Sequence, residues 1–217
     1  MKILCCGDSH AGIFQYCNNK QNDFIFDVCV VGGATAQGAV NPNGKTDALN
    51  IFEKKINSTC ADKILIMLGE VDCGFVIWVR SKRYNINVDD QINISVNNLF
   101  TFIDNIIVAN KSYTNKDIII CGSIIPTIRD STDRKFLNGA RSEVNVSQFE
   151  RTKKTIEYNN LLMKKCDTYG YKYIDITNNI IGKDGIVKNE FLNSNPNDHH
   201  LDNEKTYKLW LSELKNM

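Results

Sequence analysis

Met1-Lys2-Ile3-Leu4-Cys5-Cys6-Gly7-Asp8-Ser9-His10 opens the chain, and its reading decides the architecture. Lys2 to Cys6 is a short apolar run that stops at a glycine-led polar turn, the pattern of a buried strand running into a loop. Four similar runs follow, Phe24 to Val31, Lys63 to Leu68, Asp117 to Cys121 and Tyr171 to Ile174, with stretches of helical period between them. Strands alternating with helices predict an α/β fold, a three-layer α/β/α arrangement around a central, mostly parallel five-stranded sheet. One such domain is expected over residues 1–217.

The intervening segments carry their own signals. Asp47 to Asn57 reads as one helix, and Ile92, Val96, Leu99, Ile103 and Ile106 follow the spacing of a core-facing helical stripe. Ser147 has Glu150 at capping-box spacing, so a helix is expected to start there, with Phe149, Ile156 and Met163 as its apolar face. A last helix is expected from Asp202 to Leu214. The strands end in Gly7-Asp8-Ser9, Gly32-Gly33-Ala34-Thr35, Gly69-Glu70-Val71-Asp72 and Gly122-Ser123. Ligands bind outside the carboxyl ends of parallel strands, so these four turns are expected to line one crevice. Thr127 to Asn145 is polar without an apolar period, and reads either as a disordered excursion or as a loop over that crevice.

Bulk properties exclude several classes. The 217 residues are 42% hydrophobic, enough for one sizeable core, and the net charge of +1 lacks the basic excess of a nucleic-acid binder. Pairs such as Lys153-Lys154 and Lys164-Lys165 read as solvated helix faces. The opening apolar run is too short for a signal-peptide core, and no run reaches the roughly 18 apolar residues of a membrane span. The eight cysteines form no C-x-x-C pair, and Cys5, Cys29 and Cys121 fall in strands. Reduced thiols and a cytoplasmic setting are therefore expected, with no nucleic-acid or membrane partner and no metal.

All three histidines sit at the chain's ends, His10 beside Ser9, and His199 and His200 after Asp198. A serine on a strand-to-helix turn presents its hydroxyl, and its backbone N–H at a helix N-terminus can bind developing negative charge. Such a serine needs a base, so Ser9, His200 and Asp198 are the candidate catalytic triad, with His199 and Asp202 as second choices for base and acid. The bland alternative is that Ser9 only caps the next helix and the histidine pair lies in a surface loop. His10 is a candidate substrate contact.

The ordered set Gly7-Asp8-Ser9, Gly33-Ala34-Thr35, Gly69-Glu70-Val71-Asp72 and Asp198-His199-His200 resembles the conserved blocks of the SGNH, or GDSL-type, hydrolases and acyltransferases. The resemblance spans the chain and implies a flavodoxin-like sheet order, with Ser9 and Gly33 supplying the oxyanion hole. It departs from the family twice. The family's last block is Asp-x-x-His, which in strict register puts Asn197 at the acid position; the charge on Asp198 stabilises an imidazolium as an amide would not. The third block has Val71 in place of the oxyanion-hole asparagine, a loss that typically costs about 10²–10³ in rate. Glu70 and Asp72 either bind substrate or hold the loop as a structural pair through Arg80. Arg129, Arg134 and Arg141 either bind phosphate or are solvated loop charges.

The Gly-Glu-x-Asp form of the third block resembles a subgroup associated with glycan assembly. With no export signal visible, intracellular substrates are expected, so the leading reading is acetyl transfer through Ser9 from acetyl-coenzyme A onto a sugar or nucleotide-sugar, with no cofactor needed by the triad itself. The domain is expected to be one part of a longer chain with another glycan-modifying domain. The alternatives are a carbohydrate or small-ester acetylesterase with the same residues, and a sugar-binding module that has lost catalysis.

Overall fold

The computed structural model describes every residue except Lys111, Arg134, Phe136, Asn138, Pro196 and Asn197. The five apolar runs form strands β1 (Lys2–Gly7), β2 (Ile25–Val30), β3 (Lys63–Met67), β4 (Ile118–Cys121) and β5 (Lys172–Ile174). They pair in the order β2-β1-β3-β4-β5, and every pairing is parallel. Because β1 and β3 are flanked on both edges and both faces, their side chains are apolar on both faces, as parallel strands require.

Helices cover the two faces. They are α1 (Gly12–Cys17), α2 (Ala48–Ser58), α3 (Ile77–Tyr84), α4 (Val88–Phe102), α5 (Gln148–Tyr169), α6 (Thr177–Ile180) and α7 (Asn203–Lys215). The period-two alternation of a strand sorts its residues between two cores. Leu4, Cys6, Ile64, Ile66, Ile118 and Ile120 face Phe52 of α2, Leu99 of α4 and Leu162 of α5. Ile3, Cys5, Leu65, Met67, Ile119 and Cys121 face Phe14 of α1 and Trp210 of α7. This second core joins the ends of the chain. Phe14 and Trp210 pack with ring centroids 5.9 Å apart, and Lys20 pairs with Glu204 at 2.8 Å.

Caps fall where the residue types put them. The Ser147 hydroxyl accepts from the Glu150 N–H at 3.1 Å, and the Asp202 carboxylate accepts from the N–H groups of Glu204 and Lys205. Asp202 is thereby committed to the start of α7 and is no member of the triad.

Other expectations are corrected. Phe149 and Met163 of α5 are exposed, and the helix buries Arg151, Thr152, Thr155, Tyr158, Asn159 and Leu162 instead, a mixed face from which Arg151 and Asn159 tie down the loops at the strand ends. The expected stripe on α4 is buried through Ile103, where the helix passes into a π-helical turn over Ile103–Ile107 that turns Ile107 rather than Ile106 fully inward. From Val88 to Asn110 this element is long and apolar enough to cross a membrane by length and composition, which the count of consecutive apolar residues did not reveal; here its apolar side packs on the sheet. The π-helical turn Asp72–Val76 leads into α3, a helix without a strong sequence signal. All eight cysteines are free thiols.

Trp210 is fully buried at the contact between α7 and α1. Trp210→Ala should lower stability by about 3–5 kcal/mol, the usual cost of an aromatic cavity. Urea unfolding measures this, and a loss below about 1 kcal/mol, the scale of a surface substitution, would mean that α7 is not anchored through this residue.

Candidate active site

Gly7 closes β1 against its neighbours. A Cβ there would lie 2.4 Å from the Met67 carbonyl oxygen and 2.7 Å from the Ala11 Cβ, so only glycine lets the turn fold this tightly. Asp8, almost fully buried, then accepts from the His10 N–H at 2.9 Å and caps the 3₁₀ turn Ser9–Ala11, which continues into α1. Ser9 is left half-buried at the start of this turn with its hydroxyl over the strand ends.

The other half of the site comes from the C-terminal loop. An antiparallel bridge between Leu192 and Leu201 closes it, and α7 holds its far end. Ser9 Oγ lies 2.8 Å from His200 Nε2, and His200 Nδ1 lies 2.6 Å from Asp198 Oδ1. Asp198 can only accept, so His200 carries its proton on Nδ1 and offers an Nε2 lone pair to the Ser9 hydroxyl. The one-residue spacing works because the carboxylate folds back: Asp198 Oδ1 also accepts from the His200 backbone N–H at 2.9 Å. Burial alone would raise the Asp198 pKa, but the His200 N–H and ring outweigh it and hold the carboxyl below its ordinary range. Asn193 donates to the second oxygen at 3.1 Å, a support that no sequence signal marked. Asn197, the other reading of the acid, lies outside the described residues.

Gly33 lies on the same crevice with φ +74°, a left-handed backbone suited to glycine. Neither the Ser9 nor the Gly33 N–H donates to another described residue, so both donors are available to a developing oxyanion. Val71 lines the crevice as well and brings no donor.

The other candidate residues separate into contacts and supports. His10 is buried beside His200, ring centroids 4.5 Å apart, with Nδ1 3.1 Å from Asp8 and 3.8 Å from Glu70. Burial opposes charge on His10, and the Glu70 and Asp8 carboxylates overcome it, raising its pKa. His199 packs on both other histidines, and burial with the nearby Arg141 charge lowers its pKa to about 4, so its ring is neutral. Glu70 pairs with Arg141 at 3.0 Å, whereas Arg80 is exposed on α3. The loop pairing through Arg80 is thus replaced by one through Arg141.

Asp72 is fully buried and does not meet the crevice. Its oxygens accept from the N–H groups of Ala36 and Gln37 and from the Ser95 hydroxyl, which fastens the turn after β2 to α4. Burial raises its pKa against these donors. The assignment of Asp72 to substrate binding is corrected accordingly. Arg129 borders the crevice but spends its guanidinium on Gln148, the Val187 carbonyl and Asn189. Arg134 lies outside the described residues.

Of the four turns expected at the crevice, Gly122-Ser123 is buried instead, its backbone gripped by the Asn159 amide through Ser123. The segment after it takes its place. Thr127, Ile128, Ser131, Thr132 and Leu137 line the crevice, so the described part of Thr127 to Asn145 is a loop over the site. Ser9 and His200 stand between two spaces. One is the crevice itself, about 780 Å³, bounded by Gly33, Val71, Phe75, Thr127, Arg141 and His199. The other is about 290 Å³ and of mixed lining, with Ile13, Met67, Ile124, Leu201 and Trp210 beside Asn193, Asn203 and Thr206.

No family model matches the sequence, and no curated protein does. Solved structures do resemble it. A GDSL-like lipase from Bacteroides thetaiotaomicron superimposes with a TM-score of 0.61 at 12% identity, over 99% of this chain and 86% of the other. A lipase/acylhydrolase from Enterococcus faecalis gives 0.60 at 15% identity, over 99% and 95%. The psychrotrophic esterase EstA from Pseudoalteromonas gives 0.56 at 12% identity, over 99% and 97%. With a parallel sheet in the order β2-β1-β3-β4-β5 and these neighbours along nearly its whole length, the chain has the fold of the SGNH, or GDSL-like, lipases and acylhydrolases.

Proposed function

We propose that this chain is a serine-dependent carboxylic-ester hydrolase that passes a short acyl group through Ser9. One observation carries the reading: the unbroken hydrogen-bond line from Ser9 through His200 to Asp198. The Ser9 oxygen attacks the ester carbonyl while His200 Nε2 takes its proton, and Asp198 stabilises the imidazolium. The carbonyl oxygen, now negative, meets the N–H groups of Ser9 and Gly33. Collapse expels the alcohol, which takes the proton from His200 and leaves an acyl-serine. Water resolves it by the same steps in reverse.

The two spaces beside Ser9 suit unequal substrate halves. The smaller one has room for a short acyl chain, and the wider crevice has room for a bulkier alcohol such as a sugar. Val71 leaves the oxyanion with backbone donors alone, which favours activated or acetyl-sized esters.

Transfer of an acetyl group from acetyl-coenzyme A to a sugar or nucleotide-sugar uses the same acyl-serine. Hydrolysis is preferred because Arg129 and Arg141, the described arginines lining the crevice, are already engaged by Asn189 and Glu70. A coenzyme phosphate would have to displace those partners. The esterases and lipases among the structural neighbours lean the same way.

The wild-type chain should hydrolyse aryl acetates faster than aryl octanoates, and an alkyl phosphonate should label Ser9 stoichiometrically; Ser9→Ala should lose both. Thiol release from acetyl-coenzyme A that rises with added amino- or hydroxy-sugars, with slow aryl-acetate turnover, would favour the transferase. Absence of labelling would favour a binding module. Asp198→Asn should lower kcat by about 10⁴, because the amide no longer selects the His200 tautomer. Asn193→Ala, which removes one hydrogen bond from Asp198, should lower kcat by about three- to tenfold with little change in KM. Equal activity in Asp198→Asn and wild type would remove this aspartate from the mechanism.

A further inference from the structure

The turnover just described uses one imidazole, yet three converge. His10, His199 and His200 each bring a ring nitrogen, and these lie within 4.8 Å of one another. Two of the rings are held by the same local device. In Asp8-Ser9-His10 and again in Asp198-His199-His200, one carboxylate oxygen accepts the backbone N–H of the histidine and faces its Nδ1, at 3.1 Å and 2.6 Å. Each aspartate thereby fixes the Nδ1–H tautomer and leaves Nε2 as a lone-pair donor. A carboxylate behind the far nitrogen is the usual support of a metal-ligating histidine.

The Nε2 of His10 has no described partner although its side chain is only 4% exposed. A buried ring nitrogen without a partner is costly, and the His199 and His200 rings lie beside the His10 ring, centroids 5.5 and 4.5 Å away. The His199 ring makes no hydrogen bond to a described residue either, and stands half-buried on the C-terminal loop. Arg141, the cation nearest this group, is matched by Glu70 at 3.0 Å.

We propose that His10, His199 and His200 form a three-imidazole site for a divalent transition metal of the zinc class, and that filling it switches Ser9 off. Imidazole suits zinc, which takes three protein ligands and keeps a fourth position open. Tetrahedral zinc with bonds of about 2.0–2.1 Å needs nitrogens about 3.4 Å apart, so the rings close by about 1.4 Å at most. The loop position of His199 allows this.

Coordination uses the Nε2 lone pair of each neutral imidazole, and any proton on His10 Nε2 leaves to solvent as the metal binds. It also breaks the hydrogen bond from Ser9 Oγ to His200 Nε2, because that nitrogen has one lone pair. Ser9 is left without its base. The switching rests on the serine-hydrolase reading; the metal binding does not.

Calorimetry with Zn²⁺ and the visible bands of added Co²⁺ test the binding without turnover. One metal per chain is expected, with tetrahedral Co²⁺ bands. His199→Ala and His10→Gln should each weaken binding at least about tenfold. Ser9→Ala, which frees His200 Nε2 from its competitor, should bind about three- to tenfold tighter. Cys60→Ser, which removes the exposed thiol, should change nothing. Unaltered affinity in His199→Ala, loss in Cys60→Ser, or equal affinity in Ser9→Ala and wild type would overturn the site. In the wild type, ester hydrolysis should fall in proportion to zinc occupancy and return with a chelator. Full activity at full occupancy would overturn the switch, whereas binding without any esterase activity would count against the hydrolase reading alone.

Discussion

The hydrogen bond between Ser9 and His200 joins residues 191 positions apart, and it exists because α7 packs on α1 beneath one face of the sheet. β1 occupies an inner position of that sheet, so its terminal turn is rigid. The C-terminal loop has no such support of its own. It is fixed at one end by the Leu192–Leu201 bridge and at the other by α7, whose Trp210 fills the core beside Phe14. A hydrophobic contact thus sets the register of a polar one, at a precision that a loop alone would not hold.

Around this line the chain buries an unusual density of charge. Asp8, His10, Glu70, Asp72 and Arg151 all have less than a tenth of their surface exposed. A buried charge is tolerated only when its lone pairs and protons are matched. Asp72 meets two backbone N–H groups and a hydroxyl, Glu70 meets Arg141, and Asp8 meets His10. These pairs hold the turns after β1, β2 and β3 against one another. The unmatched Nε2 of His10 is the exception, and it points to chemistry rather than to architecture.

Much of this was legible along the chain. The strands announced themselves because a parallel strand buried on both faces must be apolar in nearly every position, and Lys2–Gly7 and Ile118–Cys121 are. The cap at Ser147 depends on Glu150 three residues away, well within a sequence window. The buried side of α5 was not legible. Its Arg151 and Asn159 face inward because backbone groups of distant loops await them, while the apolar Phe149 and Met163 remain outside. Hydrophobic period reports burial only where the surface being met is apolar.

By itself, the sequence determined the alternation of strands and helices, the glycine-led turns, and the residue types from which a nucleophile, a base and an acid could be drawn. Each of these depends on neighbours a few positions apart. The tertiary structure decided that Asp198 reaches His200 across a single residue by folding back on its N–H, and that Asp72 supports a turn rather than a substrate. It also decided that Arg141 answers Glu70 and that three histidines share one space. Those outcomes are contacts between segments far apart in the chain, and only the packing of helices on a common sheet sets such distances.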